Sequence, residues 1–106
     1  MSIAVPLPEL PDQVGRFGPR GFLVTVSDDG RAHPASVVVI VGDDGTLRMG
    51  AGRRTSANVT ARPTVTLLWA GPLDGLALLV DGTGTVDGDA VVVTPTWAVL
   101  HQVAGA

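Results

Sequence analysis

The chain has 106 residues, a net charge of −3 and no cysteine. That length fits one domain with a single core, and the missing cysteines exclude disulfides, thiolate metal sites and cysteine nucleophiles. All seven basic residues are arginines, which excludes lysine Schiff-base chemistry, and the acidic balance leaves no broad basic face for nucleic acid.

Hydrophobic residues make up 45% of the chain and charged ones only 16%, a balance that argues against disorder and leaves apolar surface for a partner subunit. The amino terminus lacks a basic n-region, and no run approaches the roughly 20 apolar residues needed to cross a bilayer. A soluble, cytoplasmic protein that engages no membrane is expected.

Residues 1–20 carry Pro6, Pro8, Pro11 and Pro19, with room for one short helix around Glu9 to Val14. This punctuation predicts an N-terminal arm, laid over a neighbouring subunit or strapped on the surface, ahead of a main domain over residues 21–106. Phe22 to Val26 reads as a strand and Asp28-Asp29-Gly30 as a hairpin turn. The return strand runs from Arg31 to Val41. Its apolar run Val37-Val38-Val39-Ile40-Val41 implies cover on both faces, and Pro34 marks an edge or a bulge.

A second hairpin at Gly42-Asp43-Asp44-Gly45 leads into a strand from Thr46 to Met49. Thr55 to Arg62 is the one clear helix, stopped by Pro63. A strand follows from Thr64 to Trp69, then a loop from Gly71 to Gly75. The long strand from Leu76 to Val86 places Gly82 and Gly84 on one face, which predicts a barrel corner or a closely pressed backbone. Ala90 to Thr94 reads as a last short strand, and Pro95 to Gln102 as a turn of helix. The sum is an all-β chain with one or two short helices. About six antiparallel strands joined mostly by hairpins favour a closed barrel, since closure removes sticky edges.

Arg53, Arg54, Thr55 and Ser56 fall together where a glycine-flanked turn becomes the helix. Unpaired N–H groups and the positive end of the dipole attract anions there, and two guanidiniums with two hydroxyls make a phosphate cradle. Gly50 and Gly52 let a ligand approach the backbone. The simpler alternative is a solvated arginine pair with Thr55 or Ser56 as N-cap.

Taken in order, the DDG hairpin, the long strand, the second hairpin, the GAGRRTSANV helix and the ARPTVTLLW strand resemble one known family. This is the pyridoxamine 5′-phosphate oxidase-like family of FMN-binding split β-barrels, and the likeness spans roughly residues 20 to 100. The resemblance implies a homodimer with two flavin sites at the subunit interface. It assigns the flavin phosphate to Arg54, with Arg53, Thr55 and Ser56 beside it. Arg48, Met49 and Gly50 would line the cofactor site, and Ala35, Ser36, Val37 and Val38 would face the isoalloxazine edge. FMN is the expected cofactor, with a deazaflavin coenzyme as the alternative on the same fold. A non-catalytic flavin- or haem-binding module, or an empty barrel acting through its dimer surface, are the remaining readings.

Two departures from the family pattern stand out. Thr55 occupies a position often held by lysine, and Leu79-Val80-Asp81-Gly82 lacks the arginine usual in that strand. Both point away from pyridoxamine phosphate oxidation itself. No metal is expected, because His33 and His101 show no ligand spacing. His33 reads as a hydrogen-bonded structural histidine, with a place near the flavin as its alternative, and His101 as a haem ligand is a minor one. Trp69 and Trp97 read as core or interface filler, with stacking on a flavin ring as the alternative. The acidic pairs belong to turns, and no serine lies in a nucleophile-elbow context. No catalytic residue is named.

Overall fold

The computed structural model describes residues 1–105. In chain order these form β1 (Ser2–Ala4), a 3-10 turn (Leu7–Glu9), α1 (Leu10–Phe17), β2 (Arg20–Val26), β3 (Ala32–Val38), β4 (Ile40–Val41), β5 (Leu47–Gly50), α2 (Arg53–Ala61), β6 (Thr64–Leu73), β7 (Leu76–Asp87) and β8 (Ala90–Gln102). All pairings are antiparallel, in a single curled sheet of order β3-β2-β6-β7-β8-β5-β4, with β1 added to β8. The result is a split barrel of eight strands, two more than the sequence count. No helix among the described residues is long and apolar enough to cross a membrane.

Both Asp-Gly turns form as expected. Gly30 and Gly45 take φ of 82° and 84°, where a side chain would be strained. The last strand differs from expectation: Pro95 to Gln102 is extended, not helical. Its backbone pairs with β7 as far as Leu76↔Gln102, so a helix there would strand the edge of β7 without partners. Pro95 is tolerated because the ladder is already interrupted beside it. Asp81 faces Trp97 while Gly82 faces Pro95, leaving Thr96 as the extra residue of a bulge. The Thr96 hydroxyl donates to the Asp81 carbonyl at 3.2 Å.

The paired glycines of β7 are explained by close approach. A Cβ on Gly82 would lie 2.6 Å from both the Thr94 carbonyl oxygen and a Val93 methyl. One on Gly84 would lie 3.0 Å from a methyl of Val59, the residue through which α2 packs onto the sheet. The Gly84 contact seats α2 against β7.

The N-terminal segment is laid back on its own chain. Val5, Leu10 and Val14 are buried in the core with Leu23, Leu47, Leu67, Leu78 and Val93. Each such side chain contributes about 1.5–3 kcal/mol by leaving water. Trp69 joins the same core, and its indole N–H donates to the Gly18 carbonyl at 2.9 Å.

The run from Val37 to Val41 departs from expectation. Val37 and Val39 are buried, but Val38 is 54% exposed and Ile40 65% exposed, so within one chain only one face is covered. β3 is an edge strand, which also accounts for Pro34 within it. Residues directly opposite in the ladder share a face, so Phe22, Leu68 and Leu79 form one row on the side of the sheet away from the core. Trp97, 50% exposed, belongs to the same face.

Candidate functional site

The helix α2 begins two residues earlier than its sequence signals suggest, so Arg53 and Arg54 form its first turn. Gly52 is the N-cap, with extended backbone and no side-chain cap, and Ser56 N–H donates to its carbonyl at 3.0 Å. Thr55 and Ser56 are therefore helical residues and not caps. The first-turn N–H groups lack a capping side chain, which leaves donors and the positive dipole end facing outward. A Cβ on Gly50 or Gly52 would meet nothing within 4 Å, so the backbone approaching the helix borders open space.

That helix start forms one wall of a groove of about 820 Å³, whose other wall is the β2–β3 hairpin. The helix supplies Arg53, Arg54 and Asn58, and the hairpin supplies Asp28, Asp29, Arg31 and His33. The side chains of Arg31, Arg53 and Arg54 make no hydrogen bond or ion pair among the described residues. The acidic groups of the groove are engaged instead. Arg62 donates from Nη2 to Asp28 Oδ1 at 2.8 Å and from Nε to the Val26 carbonyl at 2.7 Å, pinning the helix end to the hairpin. Asp29 Oδ1 accepts the backbone N–H of Arg31 at 3.0 Å. The groove thus presents three uncommitted guanidiniums, an arrangement suited to an anion.

Asn58 sits at the floor between the walls. It is 5% exposed, and its Nδ2 donates to Thr25 Oγ1 at 3.1 Å and to Ser27 Oγ at 3.3 Å. Its amide oxygen has no donor among the described residues. The imidazole of His33 likewise makes no hydrogen bond among them; besides the strand ladder, its backbone carbonyl accepts the Thr25 hydroxyl at 3.4 Å. His33 is therefore a groove residue and not a hydrogen-bonded structural histidine.

The structure divides the residues singled out from sequence. Arg53 and Arg54 line the groove, whereas Thr55 is 3% exposed and turned into the protein, and Ser56 is half-buried outside the lining. Met49 is 1% exposed and belongs to the core. Arg48 donates from Nη1 to Asp87 Oδ2 at 2.8 Å, an exposed pair away from the groove lining. Ser36, Val37 and Val38 line a separate hollow of about 250 Å³ with Arg20 and Phe22, and Ala35 is half-buried on the face of β3 that His33 shares. Arg31, His33 and Asn58 were not placed at the helix start by sequence. Nothing local links them to Arg53, because the hairpin and the helix meet only through the sheet order and the Arg62 and Asn58 bonds.

No protein-family model matches the sequence, and no curated protein does either. Solved structures do match. A protein from Clostridium acetobutylicum related to general stress protein 26 of B. subtilis, and described as of the pyridoxinephosphate oxidase family, superposes with a TM-score of 0.69 at 12% identity, over 92% of this chain and 91% of that one. This chain has the pyridoxamine 5′-phosphate oxidase-like split-barrel fold. The same split barrel relates it to the FAD binding protein from Mycobacterium smegmatis, with a TM-score of 0.67 at 18% identity, over 96% of this chain and 100% of that one. An F420 reductase matches with a TM-score of 0.63 at 20% identity, over 78% of this chain and 91% of that one. At such identities the shared property is the fold.

Two further residues singled out from the sequence are placed by the structure. Thr55 faces inward, so Arg53 and Arg54 carry the charge of the helix start. Asp81 lies on the outer face, and its carboxylate accepts the Thr66 hydroxyl at 2.8 Å.

Proposed function

We propose that the chain is a homodimeric, flavin-binding split barrel that seats the phosphate of FMN against Arg53 and Arg54 and acts as a small flavin-dependent oxidoreductase. The observation that carries this reading is the pair of uncommitted guanidiniums at a helix start without a side-chain cap, inside a groove of about 820 Å³ on a fold related to flavin-binding proteins. The groove volume suits a cofactor-sized ligand. The donors suit a phosphate, which each guanidinium can grip with paired N–H groups. Bound flavin would supply the redox chemistry, and the protein would anchor, orient and screen it.

Support for a second copy comes from the outer sheet face. Phe22, Val38, Ile40 and Trp97 are all exposed there or at its edge, and large apolar side chains gathered on one face mark a surface suited to another protein. Covering that face with another protomer would bury the hollow at Ser36 and Val38. A deazaflavin in place of FMN is the second reading, favoured by the likeness to an F420 reductase. Both offer a phosphate to the same arginines.

The test is the absorption spectrum and mass of whatever copurifies, followed by titration of ligand-free protein with FMN and with deazaflavin, and sedimentation of the complex. A flavin or deazaflavin bound to a dimer supports the proposal. A colourless monomer that binds neither overturns it. Turnover of NAD(P)H with the cofactor bound separates an enzyme from a carrier.

A further inference from the structure

The outer face of the sheet is apolar at its centre, where Phe22, Leu68 and Leu79 lie side by side on β2, β6 and β7. Val24, Thr66 and Asp81 form the next row on that face. Arg20 lies two residues before Phe22, so it shares the face on the opposite side of the central row from Asp81. Arg48 and Asp87, farther along the sheet, satisfy each other at 2.8 Å. The Arg20 guanidinium and the Asp81 carboxylate have no ionic partner among the described residues. The ladder sets them roughly 16 Å apart by the rise per residue and the spacing of strands, too far to pair within one chain.

Asp81 is nevertheless built as a seat for a cation. It is half-buried, and the Thr66 hydroxyl donates to its carboxylate at 2.8 Å and fixes it. Trp97, 50% exposed, stands directly opposite it on β8. A fixed carboxylate beside an open indole suits an arginine, which can donate to the one and stack on the other. A second protomer laid on this face would remove both charges from water, and any pose that kept them apart would leave two desolvated ions unpaired.

We propose that the outer face docks a second copy of this chain in the register that sets Arg20 of each protomer against Asp81 of the partner subunit. In a two-fold interface the contact of one residue with another is repeated in reverse, so the pair forms twice. Leu68 lies midway between Arg20 and Asp81 in the ladder, so the axis crosses the face at Leu68 and the apolar row closes on itself there. The apolar row supplies the affinity, and the ion pairs select the register and the partner. This rests on the homodimer of the reading above and deepens it by naming the contact that orients the two copies.

The experiment is sedimentation velocity over a concentration series for the wild-type chain, Arg20→Asp, Asp81→Arg and the chain carrying both, with a thermal melt of each. The wild type should be a dimer. Each single reversal sets like charges together and should weaken the dimer by about 100-fold or more, and the doubly substituted chain should recover to within about tenfold of the wild type. An equimolar mixture of the two single variants should form a heterodimer, because each then supplies the charge that the other faces; an effect confined to one chain could not produce this. Should a reversal lose its cooperative melt, Arg20→Gln, Asp81→Asn and their combination take its place: losses short of additive support the pair, and additive losses overturn it. If the single reversals dimerise as tightly as the wild type, or if neither the mixture nor the doubly substituted chain recovers, the register is overturned and the homodimer stands. If the wild type sediments as a monomer, both fall.

Discussion

Replacing Arg53 and Arg54 together by alanine should strip the groove of its phosphate grip and leave the fold intact. Neither side chain has a partner among the described residues, and alanine is the stronger helix former, so no loss of stability is expected from the helix itself. Each charge-assisted hydrogen bond is worth about 1.5–3 kcal/mol, and the exposed position of both arginines places them toward the lower end. The pair should therefore contribute about 2–4 kcal/mol, a loss of roughly 30- to 1,000-fold in FMN affinity. Quenching of flavin fluorescence on titration reads the affinity, and a thermal melt of the same samples reads the fold. The wild-type affinity should also fall more steeply with added salt than that of the variant. An unchanged affinity in a variant that melts like the wild type would refute the assignment of phosphate to this helix start.

Arg62→Ala removes both bonds that tie the end of α2 to the hairpin and should cost about 1–2 kcal/mol, a fall of roughly 5–10 °C in Tm; an unaltered melt would show that these bonds are idle. Gly82→Ala forces a Cβ against a backbone oxygen and a stiff valine methyl and should cost about 2–4 kcal/mol in urea unfolding, whereas Gly50→Ala, with open space around it, should change stability little. Asp44 is held below its ordinary value of 3.8 by the Thr46 hydroxyl and then by the Thr46 backbone N–H. Its folded-state value is the lowered one, so its stabilising effect is present above the unfolded value and lost as pH falls through the folded one. The stability gap between wild type and Asp44→Asn should accordingly narrow in urea titrations taken to progressively lower pH, and a gap independent of pH would contradict it.

What could be read from the sequence was what neighbouring residues decide. Asp-Gly pairs dictate their own turns, and Pro63 ends its helix wherever the rest of the chain lies. Pro95 misleads for the opposite reason: it breaks a helix or a strand in isolation, yet here a bulge created with Asp81 and Gly82 absorbs it. The prolines of residues 1–20 likewise conceal that Val5, Leu10 and Val14 reach the core. The apolar run at Val37 to Val41 implies cover on both faces, and the single chain covers one. At the site, Arg53 and Arg54 were legible because a helix start announces itself locally. Arg31, His33 and Asn58 were not, because the hairpin becomes the facing wall only once β2 and β3 take their place at the sheet edge and Arg62 and Asn58 bind α2 to them.

The most direct measurement compares FMN with riboflavin, which differ by the phosphate alone, in calorimetric titrations of the ligand-free protein. Anchoring by the two arginines and the open helix start predicts that FMN binds about 100-fold tighter or more. Equal affinities would mean that the phosphate lies away from these guanidiniums, and would contradict the account.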